Sequence, residues 1–297
     1  MKANHFGKMT LLLAFALGTG CSEDGGGNTG GDAGTDTVTG TGFMGILVDF
    51  KSKAAKSGVD IEVLDNDTGE PLDPVKFPPF KSGTGGAINL DLPPGILVGF
   101  KASGTDDSGW FKFKDSYQFN VKSDDQGKKI YAVNELTYTA ALSTAFIEEG
   151  DTADFGHLAG TLYWRNAQGE DEFVGCAVIE VTDESGKVLK EEKNDIGKAT
   201  FCGIRYFDTT TDMPAALETS DMTHLNNSRY MVADMPVGQY TITAMLKDDP
   251  TAILGTVTLR AYPGALSIGN IYVDEHLPDL TANPTPAGQE CIGETEH

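Results

Sequence analysis

Residues 235–243, MPVGQYTIT, join a turn to a strand. Pro236 has a fixed φ and no N–H to donate to a sheet, so it is expected to end one strand. Gly238 allows the positive φ of a tight turn. After the turn, Tyr240 and Ile242 alternate with threonines, which is the period of a strand with one buried face. The stretch therefore predicts a tight turn and then a half-buried strand whose first aromatic ring faces the core.

The chain contains this arrangement twice. Residues 92–98 (LPPGILV) match residues 235–241 (MPVGQYT) in the placement of proline and glycine before a strand. Upstream of each, residues 62–65 (EVLD) and 180–183 (EVTD) read as a strand that ends in an acidic turn. An internal repeat of this kind predicts two similar units in tandem.

Short runs of alternating apolar and polar residues continue through most of the chain, for example at residues 59–63 and 111–121. Gly, Asp and Asn interrupt them, which is typical of antiparallel strands joined by turns. No segment has the pattern of an amphipathic helix of normal length. The predicted fold class is all-β, with two tandem antiparallel β-sandwiches.

Both repeats resemble the carboxypeptidase-regulatory-like family, a transthyretin-type or prealbumin-like β-sandwich with a Leu-Pro-x-Gly-x-Tyr pattern before a strand. In the second half, residues 178–186, 197–201 and 235–243 carry the resemblance. The first half has Leu97 and Val98 where the family prefers Tyr and Thr. The resemblance implies prealbumin-like or Ig-like sandwiches with a carbohydrate-binding-like fold, and it implies no particular activity.

The N terminus has the features of a secretion signal. Lys2 and Lys8 precede an apolar run, MTLLLAFAL, which is too short for a permanent membrane span. Three small residues then lead to Cys21, and this arrangement resembles the bacterial lipobox. The resemblance implies that Cys21 is lipidated and anchors the protein to a membrane. Because Ser22 rather than Asp follows it, the resemblance implies an outer-membrane lipoprotein, on either the periplasmic or the surface face.

Composition and repeats together predict the organisation of the chain. In order, it comprises a signal peptide (1–20), the lipidated cysteine with a flexible Gly/Thr/Asp linker (21–42), a first sandwich (43–140), a linker (141–154), a second sandwich (155–276) with an insertion (205–227), and a disordered tail (277–297).

The chain is strongly acidic, with 44 acidic and 22 basic residues and a formal net charge of −22. Such a surface repels phosphate backbones, so we expect no nucleic-acid partner. Divalent cations or basic proteins are compatible with this charge, and solubility alone also explains it.

No motif indicates catalysis. The chain has no HExxH, Cys-x-x-Cys, Gly-x-Ser-x-Gly or phosphate-loop spacing. His157 and His276 stand at the two ends of the second sandwich and are predicted to face solvent. Residues 65–70 (DNDTGE) predict a hairpin turn rather than a calcium loop, because Lys76 occupies the twelfth position. We expect no enzyme activity, cofactor or metal, with a hydrolase of unrecognised site as the alternative.

Three aromatic residues are candidates for a binding surface. Trp110 falls on the even positions of a strand whose apolar residues are odd, so it is predicted to point away from the core; alternatively it folds over the sandwich edge. The insertion 205–227 is long for a compact domain and contains Tyr206 and Phe207. The sequence predicts recognition of a glycan or an envelope protein at Trp110, Tyr206 and Phe207. A decorative insertion, in a pure spacer or assembly subunit of a surface complex, is the alternative.

Lipidation of Cys21 leaves three other cysteines, so at most one disulfide forms within a chain. Cys176 and Cys202 lie on predicted strands of the second sandwich, in an oxidising compartment. We expect these two to pair, which leaves Cys291 free or paired with another molecule.

Overall fold

A computed structural model describes residues 42–148, 153–165, 171–216 and 220–273, and strands are the main secondary structure of these residues, which confirms the all-β class. The elements of the first half are β1 (Phe43–Asp49), β2 (Asp60–Asp65), β3 (Phe80–Lys81), β4 (Ala87–Leu90), β5 (Leu97–Thr105), β6 (Lys112–Lys122), β7 (Gln126–Asn134) and α1 (Glu135–Thr144).

The second half contains the remaining strands. They are β8 (Phe155–Arg165), β9 (Asp171–Phe173), β10 (Ala177–Asp183), β11 (Glu192–Lys193), β12 (Ala199–Phe201), β13 (Gly203–Phe207), β14 (Pro214–Ala215), β15 (Arg229–Pro236), β16 (Gly238–Leu246), β17 (Ile253–Ala261), β18 (Leu266–Ile268) and β19 (Ile271–Tyr272). The predicted signal peptide, Cys21, His276 and the tail lie outside the described residues.

The first half is a sandwich with its own core. One layer contains β3, β2, β5 and β6 in antiparallel order, and the other contains β1 between antiparallel β4 and parallel β7. The layers meet where Phe113 of β6 pairs with Asn134 of β7. The fully buried apolar side chains between the layers include Phe43, Leu47, Ile61, Ile88, Phe100 and Ile130. Their burial removes apolar surface from water and stabilises this half.

The second half has the same two-layer construction. The sheet β10-β16-β17 packs against β13, β15 and β8. On β16 the alternation predicts the buried face correctly, because Tyr240, Ile242 and Ala244 are all buried. Leu158 of β8 and Val232 of β15 fill the core from the other layer.

The two copies of the repeated turn differ in backbone geometry. Gly95 has the predicted positive φ, at 76°. Gly238 does not, so the prediction of a positive φ there is wrong. The left-handed residue is Asp234, with φ 51°, at a bulge in the pairing of β15 with β8. The Tyr240 hydroxyl closes the turn by donating a 2.8 Å hydrogen bond to the Pro236 carbonyl.

One sheet runs through both halves. Strand β18, near the end of the described chain, lies between β6 and β8 and pairs in parallel with each, so that Ser267 stands between Tyr117 and Leu158. A separate apolar cluster also joins the halves, with Tyr138 and Leu142 from the first and several residues from the second. The first half therefore has its own core, whereas the core of the second half also includes Leu64, Tyr117 and Phe119 of the first half. A shared sheet and a shared cluster also connect the two halves.

Helix α1 has no amphipathic pattern, so the sequence does not predict it, and it runs into the predicted linker 141–154. Its start is favourable because the Asn134 side chain accepts a 2.8 Å hydrogen bond from the Thr137 N–H, and Glu135 stands in the first turn. Tyr138 and Leu142, one turn apart, form its buried stripe. Because only two residues of the helix are buried, its sequence pattern is too weak to recognise. Over the described ranges, none of the helices has the length and apolarity to cross a membrane.

Candidate functional site

A wide groove opens between the two halves. One side is formed by β6, β7 and the turn after β2, and the other by the ends of β8, β9, β17 and β19. Its volume is about 1370 Å³, which is above the usual range for a small-molecule site and suits an extended ligand.

Three aromatic rings form a row in the second-half wall. Tyr163 of β8 stands opposite Phe173 of β9 on one side and Tyr272 of β19 on the other. The Tyr163 ring centroid lies 5.8 Å from that of Phe173 and 5.7 Å from that of Tyr272, and both pairs are stacked. Tyr272 is 39 % exposed. We call these three residues the aromatic row. Adjacent strands thus place three stacked aromatic side chains in a row along the groove wall.

Polar contacts fix the end of the aromatic row. Arg165 donates two hydrogen bonds to one oxygen of Asp171, at 3.1 and 3.0 Å, and its guanidinium lies 5.4 Å from the Tyr272 ring centroid. The Tyr272 hydroxyl donates to the other Asp171 oxygen at 3.3 Å. The hydrogen bond and charge of Asp171 raise the pKa of Arg165, so the guanidinium is cationic. The positive charge of Arg165 therefore lies beside the Tyr272 ring of the aromatic row.

The opposite wall is the β6–β7 hairpin, which carries Lys122, Lys128 and Lys129. Gln118 connects its two strands, because its Nε2 donates to the Lys129 carbonyl and its Oε1 accepts from the Tyr131 N–H, each at 3.2 Å. Along this part of β6 the backbone pairs with β18 instead of β7. The Gln118 amide therefore makes the hydrogen bonds to β7 that a backbone ladder would otherwise make. The hairpin is therefore held in place beside the groove by a buried side chain.

The turn after β2 closes one end of the groove. Asn66 Oδ1 accepts a 2.7 Å hydrogen bond from the Asn120 N–H, and Arg260 of β17 donates to the Thr68 carbonyl at 3.0 Å. Gly69 has φ 71°, and a Cβ there would lie 1.8 Å from the Tyr262 hydroxyl oxygen. This turn is a hairpin turn as predicted, and it ties the first half to β17.

The structure separates the three predicted binding residues. Trp110 is 86 % exposed in the turn before β6 and does not line the groove. Tyr206 and Phe207 are only 3 % and 4 % exposed, so the prediction that they lie on an exposed surface is wrong. They belong to β13, which pairs with β15, and the Tyr206 hydroxyl accepts a 2.8 Å hydrogen bond from the Ile179 N–H. The start of the insertion is therefore a core strand rather than a loop.

The predicted disulfide between Cys176 and Cys202 is also wrong. Cys202 is a free, fully buried thiol, and Cys176 is in a disulfide bond whose partner lies outside the described residues. Burial, with a contribution from Glu191, raises the pKa of Cys202 to about 12. Cys202 packs in the second core among apolar side chains, where it behaves as a small hydrophobic residue.

His157 does not face solvent as predicted; it is 2 % exposed. Its Nδ1 accepts a 3.1 Å hydrogen bond from the Asp234 N–H, and its ring meets Tyr138 edge-on. Burial, together with the Lys114 charge, lowers its pKa to about 3. The imidazole is therefore neutral and serves the fold, because only the unprotonated nitrogen can accept from the backbone.

The pair of side chains that most resembles the nucleophile and base of a hydrolase lies outside the groove. Ser220 Oγ lies 3.0 Å from His224 Nε2, but Ser220 is 4 % exposed and neither residue lines the groove. Across the described ranges, no group of three or more His, Cys, Asp or Glu residues is placed to hold a metal ion.

Sequence reasoning missed the groove and the aromatic row. Tyr163, Phe173 and Tyr272 lie on three short runs separated by up to a hundred residues, and only the strand pairing brings them together. The one local signal is an aromatic residue near the end of each run, which by itself indicates an ordinary strand.

Comparisons with known proteins returned only distant similarities. No protein-family model matches the chain. No curated protein matches it either. Among solved structures, the shaft pilin SpaA from Lactobacillus rhamnosus GG is 11 % identical, covers 79 % of this chain and 98 % of its own, and has a TM-score of 0.25. The minor pilin GBS52 of Streptococcus agalactiae is 9 % identical over 79 % of this chain and 97 % of its own, with a TM-score of 0.26. The Bacillus anthracis TIE protein is 11 % identical over 78 % of this chain, with a TM-score of 0.22, and the match spans about a third of that protein, 33 %.

Proposed function

We propose that this protein is a non-catalytic, lipid-anchored module of the bacterial cell envelope that binds a glycan in the groove. In this proposal, Cys21 carries the lipid that attaches the protein to the outer membrane. The two halves act as carboxypeptidase-regulatory-like sandwiches, as their matching proline–glycine turns suggest. The acidic composition argues against nucleic acid as the ligand.

The observation that carries the proposal is the aromatic row at the edge of the groove. The C–H face of a sugar ring is apolar and stacks on flat aromatic side chains, while its hydroxyls need polar partners nearby. The groove supplies such partners in the amides of Asn66, Asn120 and Asn270. A long open groove with rings and amides suits a chain of sugars better than a single small molecule.

The groove lining also supports a role in binding rather than catalysis. It contains no Ser, His or Cys among the described residues, so it offers no serine or cysteine nucleophile and no histidine base. Its carboxylates are Asp67, Asp125 and Asp171, and Asp171 is engaged by Arg165 and by the Tyr272 hydroxyl. A glycoside hydrolase needs two carboxyl groups facing each other across the bond to be cleaved.

Affinity electrophoresis of the full-length protein through gels that contain soluble neutral or acidic polysaccharides tests the proposal. We expect retardation by at least one polysaccharide, and loss of that retardation in Tyr272→Ala. Tyr272→Phe keeps the ring and should be retarded like the wild type. Trp110→Ala removes an exposed ring outside the groove and serves as the matched control.

Each alternative has its own outcome. If no polysaccharide retards the wild type, the glycan proposal fails and a spacer or assembly subunit replaces it. If Trp110→Ala rather than Tyr272→Ala loses retardation, the binding surface is the turn before β6. Hydrolysis of a retained polysaccharide, measured by new reducing ends, would establish an enzyme.

Mass spectrometry of the mature N terminus tests the anchor. We expect a diacylglyceryl-modified Cys21 at position one of the mature chain, and Cys21→Ser should be released from the membrane fraction. An intact Met1, or an unmodified Cys21 thiol, would contradict the anchor and leave the groove proposal unaffected.

A further inference from the structure

The groove has the opposite charge balance to the rest of the chain. Five cationic side chains line it, whereas acidic side chains there number three. In the whole chain, acidic residues outnumber basic ones by 44 to 22. The cationic lining residues are Lys122, Lys128, Lys129, Arg165 and Arg260. A local excess of positive charge in an otherwise acidic protein attracts anions to that one place.

Three of these cations, Lys122, Lys129 and Arg260, have no ion-pair partner within the described parts of the chain, and the Arg260 guanidinium donates to the Thr68 carbonyl. Lys128 lies 3.9 Å from Asp125, and Arg165 is bonded to Asp171. Lys122 and Lys129, in contrast, form no ion pair with any described residue, and both are exposed on the hairpin wall. Two unneutralised ammonium groups therefore stand across the groove from the aromatic row.

The combination points to a sugar chain that carries acidic groups. A polyanion without rings would use the lysines but gain nothing from the aromatic row, and a neutral glycan would use the row but not the lysines. A polymer of uronic acids offers both an apolar ring face and one carboxylate on each sugar. Charge-assisted hydrogen bonds from ammonium to carboxylate are stronger than neutral ones.

We infer that the groove selects an acidic glycan, whose sugar rings stack on Tyr163, Phe173 and Tyr272 while its carboxylates pair with Lys122 and Lys129. This inference rests on the proposed glycan-binding function and names its ligand class. It also assigns Lys122 and Lys129 as the residues that distinguish acidic from neutral sugars.

Three soluble probes separate the contribution of the sugar rings from that of the charge. They are polygalacturonate, its fully methyl-esterified form, and inorganic polyphosphate. The ester keeps the sugar backbone and removes the charge, and polyphosphate keeps the charge and removes the sugar. With the full-length wild type, we expect tight binding to polygalacturonate, weaker binding to the ester, and the weakest binding to polyphosphate. Added salt should weaken the first more than the second, because screening acts on the ionic part.

The decisive variant is the double substitution Lys122→Gln/Lys129→Gln. We expect it to weaken polygalacturonate binding by about threefold to tenfold, the usual range for two exposed charge pairs. Its affinity for the ester should not change. The matched control is Lys187→Gln/Lys190→Gln, which makes the same change in net charge at two exposed positions outside the groove. Thermal unfolding of each variant shows that the fold is retained.

The outcomes distinguish this inference from the proposed function. Equal affinity for polygalacturonate and its ester, or equal loss in both double variants, would overturn the charge selectivity and leave glycan binding intact. Binding to polyphosphate as tight as to polygalacturonate would show simple charge attraction and overturn both. Failure of the wild type to bind any probe would also overturn both.

Discussion

The hydroxyl of Tyr240 closes the turn between β15 and β16 by donating to the Pro236 carbonyl, although the ring itself is buried in the second core. Tyr240→Phe keeps the ring and removes only this hydrogen bond. We expect the free energy of unfolding to fall by about 0.5–1.5 kcal/mol, the usual net value of such a bond. Urea unfolding of both proteins measures the difference. A change below the error of that measurement would show that water replaces the hydroxyl in the turn.

The buried imidazole of His157 makes stability depend on pH. Its pKa in the folded protein is about 3, whereas the ordinary value is 6.5. The unfolded chain therefore binds a proton more readily between these values, and stability present above pH 6.5 is lost as the pH falls towards 3. We expect a loss of about 2 kcal/mol at pH 5 relative to pH 8 from this residue alone.

His157→Asn provides the measurement for this prediction. Its side-chain oxygen replaces Nδ1 as the acceptor for the Asp234 N–H but cannot be protonated in this range. Unfolding followed from pH 8 to pH 5 should show a flatter decline in the variant. Parallel declines in the two proteins would mean that carboxylates, rather than His157, cause the loss.

At the level of the elements, the backbone of β8 packs closely at Gly160 against Gly269, just after β18. A Cβ there would lie 1.9 Å from the Gly269 carbonyl oxygen and 2.5 Å from the Tyr230 hydroxyl oxygen. That hydroxyl, fully buried, donates to the same carbonyl at 2.8 Å. Gly160→Ala should destabilise the protein by about 1–3 kcal/mol or more, because the backbone must move.

Gly238→Ala is the control for Gly160→Ala. Gly238 has no positive φ, and its Cβ would meet nothing nearer than 3.6 Å, so we expect a change within about 0.5 kcal/mol. Thermal unfolding compares the two variants. A large loss at Gly238 would mean that this turn needs glycine after all, as the sequence alone predicts.

The strands with one exposed face were predictable from sequence and the fully buried ones were not. On β16, buried and less buried residues alternate, and the pattern locates the strand and its inner face. Residues 230–235 of β15 are buried on both faces, and β13 reads as loop because an arginine, Arg205, stands among its buried residues. Arg205 tolerates burial because its side chain donates to the Ala145 carbonyl and pairs with Glu191. Such partners cannot be recognised from the sequence, because only the fold places Ala145 and Glu191 beside Arg205.

For the whole molecule, the disulfide partner of Cys176 directly tests which distant parts of the chain are covalently linked. Cys202 is free, so the sequence leaves Cys21 and Cys291 as partners, and under the proposed lipid anchor Cys21 has no thiol to pair. We predict a link between Cys176 and Cys291 of the same chain. Non-reducing peptide mapping should find it, and Cys202 should react with an alkylating reagent only after unfolding. A link from Cys176 to Cys202, or to Cys21, would contradict the prediction.

The groove could not be predicted because it belongs to the whole molecule. Most of its lining comes from residues 66–69, 118–131, 163–165, 171–173 and 256–273, and each run alone resembles an ordinary strand or turn. The repeat predicts two sandwiches correctly as architecture, but it contains no information on the surface where they meet. That surface depends on β18, which carries no recognisable motif.

The position of β18 also sets the order in which the molecule is completed. Its neighbours β6 and β8 are about 150 and 110 residues earlier in the chain, and such distant pairings form late because a long loop must close first. As the chain is synthesised from its N terminus, the hairpin with its lysines emerges well before the strands of the opposite wall. The groove therefore forms only after nearly all of the described chain has been synthesised. Under the proposed function, the ligand can bind only once folding is complete, so a partly synthesised chain does not bind it.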